Sequence, residues 1–535
     1  MGNIFGRRLG GMVLASCVGA ALVAGCASSG GTAASGDTVQ SGAARIVGTQ
    51  GDGGSVQSGG TLTYAAYSVP ASLDPARTQV AGTTGGTEMA AIYDLLIRHD
   101  SATNEFVPQL AKSMDESEDR LTWTMKLREG ITFSDGTPLD AQAVVASIDR
   151  LNRNKGASTQ QYLAAVASTE ATSPDTVTFT LTAPWSAFPA MFTFGHGMVV
   201  APASDGPDGK FAPIGAGPFT LGKFTPPESI ELVARDDYWD GRPNLDAVKV
   251  VSVQGDQPKI DTLQSGGVDM IYLRNADTVN AAKERFPGYI DPTSIGQVVQ
   301  INQRAGHAGS DVRVRQAIAY AIDPVLVDQR VRQGEGMPGS VIFQDWSQWH
   351  NDVPAIAPDP AKARALLDEA KADGYDGKAS YLAISEANSQ ANALAIQAQL
   401  NAVGFDVTID YVPSVTDMVK RLYVDRDFDL GFGATSLLDA APEIRLFSAV
   451  DSASTNNING VNSPQIDAAL DAIQVAPTSD DKVRAFSELQ AIVNEQVPFV
   501  NLGATEAFIG WDESVYGVNP SLDGILLLDE AWIKK

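Results

Sequence analysis

The stretch QVVQINQRAGHAGSDVRVRQAIAYAIDP, residues 297–324, leaves few folds open. Gln297 to Asn302 reads as a strand, and Gly306 and Gly309 supply a turn. Ser310 or Asp311 can then cap a helix in which Val314, Ala317, Ile318, Ala321 and Ile322 recur at helical spacing, with Arg313, Arg315 and Gln316 outside the stripe. Asp323-Pro324 opens a second helix through Val327 and Val331 toward Gly334 and Gly336, because proline at the first helical position gives up an N–H that has no partner there. The same grammar returns further on. Asp359-Pro360 caps a helix with Ala363, Leu366, Leu367 and Ala370 that ends near Gly374. A helix from Asn392 to Val403 stops at Gly404 and feeds a strand whose Phe405, Val407 and Ile409 share one face. Helices alternating with strands in this way predict an α/β protein.

The first 25 residues read as an export leader. Arg7 and Arg8 precede an apolar run from Met12 to Val23, which is too short to favour a membrane span, and small residues follow. Val23-Ala24-Gly25-Cys26 resembles the bacterial lipobox, in which the cysteine is diacylated before cleavage makes it the first residue. Cys26 is therefore the expected lipidation site, and two or more acyl chains suffice for stable anchoring. Cys17 falls inside the leader, which leaves no thiol for a disulfide. From Ala27 to Ser58, 22 of 32 residues are Gly, Ser, Ala or Thr, a composition expected to form a flexible tether.

A formal charge of −26 argues against a nucleic-acid partner. His99, His196, His307 and His350 are scattered without ligand spacing, so no metal is expected. No nucleophile elbow or phosphate-cradling loop is present, and Gly215-Ala216-Gly217-Pro218 precedes a strand. An enzyme reading has no residues behind it, and no cofactor is expected.

Thr61 to Tyr67 predicts the first strand of the folded body, and Ser134-Asp135-Gly136 a tight turn before a helix capped by Asp140 with Val144, Val145, Ile148 and Leu151 inward. Leu73-Asp74-Pro75, IYDLLIRHD (92–100), VPQLAKSM (107–114), LTWTMKLREGITFSDGTPLDAQAVVASIDRL (121–151), GAGPFTL (215–221) and DDYWDGRPNLDAV (236–248) resemble, in order and spacing, the first-lobe signature of the peptide/nickel class of solute-binding proteins of ABC importers, family 5. DVRVRQAIAYAID resembles the segment that opens the family's second lobe. The resemblance runs from about residue 60 to the end. It implies a two-lobe periplasmic-binding-protein-like (Venus flytrap) fold that closes over a ligand. Lobe I would span 59–299 with an inserted subdomain over about 86–185, lobe II 300–498, and the return to lobe I 499–535. It further implies a monomeric, extracytoplasmic protein anchored to a bacterial cell membrane, with a small-molecule or peptide ligand and with the permease and ATPase subunits of an importer as partners.

The resemblance also implies where a ligand sits: on the loop after Leu73-Asp74-Pro75, on the two lobe-crossing strands and on a second-lobe loop. The candidates on these positions are Gln79, Thr83 and Thr84; Gln297 and Gln300; Asn501; and Thr435, Ser436, Asp439 and Asn457. Peptide binders of the family carry a Trp and an amine-pairing Asp in the second-lobe loop. Here Thr435 and Leu438 stand at those places. Asp439, one residue along, reads either as a substitute amine partner or as a turn or cap residue, and Trp185 either as a core residue or as one facing the cleft. Peptides lead as the ligand class. An organic acid or sugar delivered by the same kind of system, or a surface sensor or interaction lipoprotein, is the alternative.

Overall fold

Side chains cap the helices where the sequence places Asp or Ser ahead of them. The carboxylate of Asp323 accepts from the N–H groups of Val325 and Leu326, that of Asp359 from Ala361 and Lys362, and that of Asp140 from Ala143. Asp311 and Ser463 do the same for the helices Val312–Ala321 and Pro464–Val475. Each cap contributes about 1 kcal/mol by satisfying an otherwise unpaired N–H. The computed structural model that carries these contacts describes residues 43–535. The leader, Cys26 and the first part of the expected tether lie outside the described residues.

One mixed sheet of twelve strands runs through the folded body. At one end Lys378–Ile384 lies parallel between Asp406–Val412 and Leu430–Gly433. At the other, Thr61–Ala66 lies parallel between Met270–Leu273 and Ala247–Ser252, which continues antiparallel into Ser229–Ala234 and Phe219–Thr225. The antiparallel strands Gly288–Ile301 and Phe499–Trp511 join the two ends. A separate four-stranded antiparallel sheet, Ala111–Glu116, Thr122–Leu127, Thr176–Leu181 and Val166–Ser173, packs with the helix Ala141–Arg153 in the first half. The core divides accordingly. Leu62, Tyr64, Met125 and Phe179 belong to one apolar cluster, and Ile318, Leu367, Tyr381 and Ile396 to another. Burying each such side chain contributes about 1.5–3 kcal/mol. This is the two-lobe α/β architecture expected from the sequence.

The joining strands differ from the short segments that the sequence predicts. Gly288–Ile301 is 14 residues long although it contains Pro292 and Gly296. It tolerates them through a bulge: its register against Phe499–Trp511 shifts between Thr293 and Gln297 and again between Gln297 and Val298. Ile295 sits in the bulge at φ 49, a conformation that costs a β-branched residue about 1–3 kcal/mol and persists where the surroundings fix it. Its side chain is wholly buried, and its carbonyl accepts from the N–H groups of Thr435 (3.0 Å) and Ser436 (3.1 Å). Opposite Gln297 stands Gly503, at φ 144, where a Cβ would lie 2.2 Å from the carbonyl oxygen of Met337. Both crossing strands therefore lose regularity at the same level.

The tether expected over 26–58 also needs correcting. Arg45–Val47 pairs with Gly288, Tyr289 and Ile290 as an added strand. Gln50 donates to the carbonyls of Glu513 and Val515, Gln57 accepts from the N–H of Lys535, and the lysine's ammonium donates to the Ser58 carbonyl. A strand added at a sheet edge takes its energy from backbone hydrogen bonds, which a search for apolar periodicity does not detect.

Candidate functional site

The loop after Leu73-Asp74-Pro75 packs on the turn near the C-terminus. Gly82 is required at that contact, since a Cβ there would lie 2.2 Å from the carbonyl oxygen of Gly524. Thr87 Oγ1 accepts from the N–H of Leu526, which fixes the turn against the helix Gly86–Tyr93. The turn thereby presents Asp523, itself at φ 59, toward the second lobe. From the helix Pro442–Val450 of that lobe, Arg445 reaches across and donates to the Asp523 carboxylate at 2.6 Å.

Around this bridge lie Asp291 on the crossing strand, Tyr272 in the strand Met270–Leu273 and Arg274 just after it, Tyr67 after the strand Thr61–Ala66, and Tyr423 from lobe II. Asp291 and Asp523 are largely surrounded by protein, yet each keeps part of its surface open to the space beside them. Burial pushes the Asp291 carboxyl up to about 8, the Asp523 charge adds to this, and Arg274 opposes it. Burial raises Asp523 as well, against the pull of Arg445. Among the described residues the Asp291 carboxylate has no hydrogen bond or ion pair. The Arg274 guanidinium has none either; it stands 5.6 Å from the centroid of the Tyr67 ring, and its charge is felt by Asp291, Asp523 and Tyr272. Behind Tyr272, Tyr64 and Glu88 are buried without partners for the hydroxyl or either carboxylate oxygen, and burial holds Glu88 at about 7.

A second junction between the lobes pairs its buried carboxylate through one oxygen, while the other oxygen of Glu443 is buried without a partner. Leu438, Ala441 and Ile444 of lobe II belong to the lobe I apolar cluster. Trp185, wholly buried, donates through Nε1 to Glu443 at 3.3 Å, and Lys482 donates to the same oxygen at 2.6 Å. At the edges of this junction Gln160 accepts from the N–H and hydroxyl of Thr455, and Arg120 donates to the carbonyls of Val475 and Ala476.

A sequence profile described as bacterial extracellular solute-binding proteins, family 5 (middle) matches residues 105–457. The chain belongs to that family. It is 27% identical over 464 residues to a putative ABC transporter peptide-binding protein of Brucella ovis, covering 83% of this chain and 85% of the relative. DppA of Helicobacter pylori, solved with the peptide STSA, superposes with a TM-score of 0.77 at 22% identity, covering 90% of this chain and 99% of the other. AgaA of A. tumefaciens R10, solved with agropinic acid, gives 0.75 at 26% identity, covering 89% and 99%.

Within this family 5 chain the residues anticipated from sequence fall into three groups. Gln297, Gln300, Thr435, Ser436 and Asn501 meet around the bulge. Gln297 keeps an unpartnered buried Oε1, and Gln300 accepts from Asn459 at 2.6 Å. Asn501 is spent inside the protein, donating to the Val341 carbonyl and accepting from the N–H of Gly503. Thr84 caps its own turn through the N–H of Ala81, the Thr83 carbonyl accepts from Ser68, and Gln79 is exposed. Asn457 closes a lobe II loop through Asp451 and Val461. Asp439 accepts from the Ser347 hydroxyl and the Gln348 N–H, while its carbonyl takes the Trp349 indole. Burial raises its carboxyl, and those donors counter the rise. Of the two readings of Asp439, the structural one accounts for every contact it makes.

The histidines bond singly to Asn104, Asn152, Asp429 and the Phe343 carbonyl. Asp291, Asp523, Arg274 and Arg445 escaped the sequence reading. They come from four separate elements, and no local motif links them.

Proposed function

We propose that the chain is exported, diacylated on Cys26 and held at the outer face of a bacterial cell membrane, where as a monomer it captures a small solute between its lobes and passes it to the permease and ATPase of an ABC importer. The observation that carries this reading is the convergence of charged side chains from both lobes, Asp291, Arg274 and Asp523 with Arg445, beside the strands that join them. Contacts made to both lobes at once favour the closed arrangement, so binding shifts an equilibrium about the bulge that a permease senses. Gln297, Gln300, Thr435 and Ser436 line the pivot in this scheme. The leader pattern and the lipobox support export and anchoring, and the Brucella relative supports the importer.

Peptides lead as the ligand class by that relative and by DppA. A non-peptide solute is the second reading, favoured by the engagement of Asp439 with Ser347 and Gln348 and by the agropinic acid in AgaA. Small-angle scattering with a thermal-shift screen of peptides, organic acids and sugars tests the function. A ligand at 100 times its dissociation constant should stabilise the fold by about 2.7 kcal/mol and compact it. Compaction by no solute of any class would sink the reading, and dependence of uptake on a permease separates it from a surface-sensor role.

A further inference from the structure

The charges at the cleft are of both signs, and two of them are left over. Asp523 is neutralised by Arg445, yet Asp291 and Arg274, which both feel Asp523 and sense one another electrostatically, lie beyond the 4.0 Å reach of an ion pair, and neither side chain forms an ion pair or hydrogen bond among the described residues. Tyr272 is 3% exposed, and its hydroxyl makes no hydrogen bond among the described residues. It is aimed into the same space: a Cβ on Gly524 would lie 3.2 Å from that hydroxyl and 3.4 Å from Asp291 Oδ2. Enclosed groups of opposite sign that cannot reach each other are each costly alone, and a ligand spanning them relieves both costs. The Arg445–Asp523 contact bridges the two lobes beside these groups, which favours a compact occupant.

We propose, resting on the solute-binding reading above, that this space receives a small zwitterion, with its cationic nitrogen on Asp291 and the Tyr272 hydroxyl and its acidic group on Arg274. The ligand class is a free amino acid or a short amino-acid derivative rather than an extended peptide. Asp291 accepts the charge-assisted hydrogen bonds of the ammonium, and the planar guanidinium of Arg274 offers a fork to the carboxylate.

The test is calorimetric titration of the purified full-length chain with α-amino acids and with the ω-amino acids from glycine to 5-aminopentanoate, each beside its N-acetyl and amide forms. At least one zwitterion should bind, and blocking either end should weaken it at least tenfold. In Asp291→Asn the N-acetyl penalty should vanish while the amide penalty persists; in Arg274→Met the pattern should reverse. A misfolded variant cannot lose one preference and keep the other. Binding unaffected by both substitutions, or by blocking both ends, overturns the proposal. If only oligopeptides or sugars bind, the ligand class is wrong and the solute-binding reading stands. If no solute of any class binds, both fall.

Discussion

Glu443 and Asp291 are both enclosed carboxylates at the junction of the lobes, and the protein treats them oppositely. Glu443 receives Lys482 and the Trp185 indole among apolar side chains of both lobes. Asp291 receives nothing, although Arg274 is near enough to be felt. A buried charge left alone is expensive. The first junction is therefore built to hold the lobes together without help, and the second to be completed by something else.

The comparison breaks most severely at the paired junction. Lys482→Met strands Glu443 without its cation and should cost about 3–5 kcal/mol, seen as a lowered urea midpoint, whereas Glu443→Leu with Lys482→Met should recover most of the loss. A cost under about 1 kcal/mol for the single variant would mean the junction is not closed in solution. A second effect, spread over pH, belongs to Asp291. Its folded value of about 8 lies above the ordinary carboxylate value, so the stability contributed by its protonated form is full below pH of about 4 and lost as the pH rises through about 8. The slope is at most about 1.4 kcal/mol per pH unit. Thermal melts across that range should fall for the natural chain and flatten for Asp291→Asn, apart from the contribution of Asp523, whose carboxyl burial also raises. The smallest effects separate the anticipated site residues. Asp439→Ala, which frees Ser347 and Gln348, should cost about 1–2 kcal/mol. Gln79→Ala, at an exposed position, should stay within about 0.5 kcal/mol by the same melts.

What the sequence disclosed was local chemistry. Asp before Pro and Gly after a periodic run mark helix ends because cap and turn act within four residues, and Asp323 and Asp359 do what their positions announce. The alternation of helices and strands gave the α/β class. The first crossing strand reads from Gln297 only, since Pro292 and Gly296 interrupt a strand pattern, and the pairing with Phe499–Trp511 shows how a bulge carries the chain past them. Residues 43–58 were read as tether for the same reason, since their order comes from a partner strand. The site was the least legible part. Asp439 looks like a ligand residue until Ser347 is seen beside it, and Asp291 looks like an ordinary strand residue until Asp523 and Arg274 arrive from elsewhere in the chain.

The pairing of Arg45–Val47 with Gly288–Ile290 carries a mechanical consequence. Any pull applied to the chain ahead of Ala43 enters the folded body at the lobe I end of the strand Gly288–Ile301, before the bulge at Ile295. Under the proposed anchoring at Cys26, lobe I would be the grounded half and lobe II the free one, with load passing into the sheet upstream of the bulge.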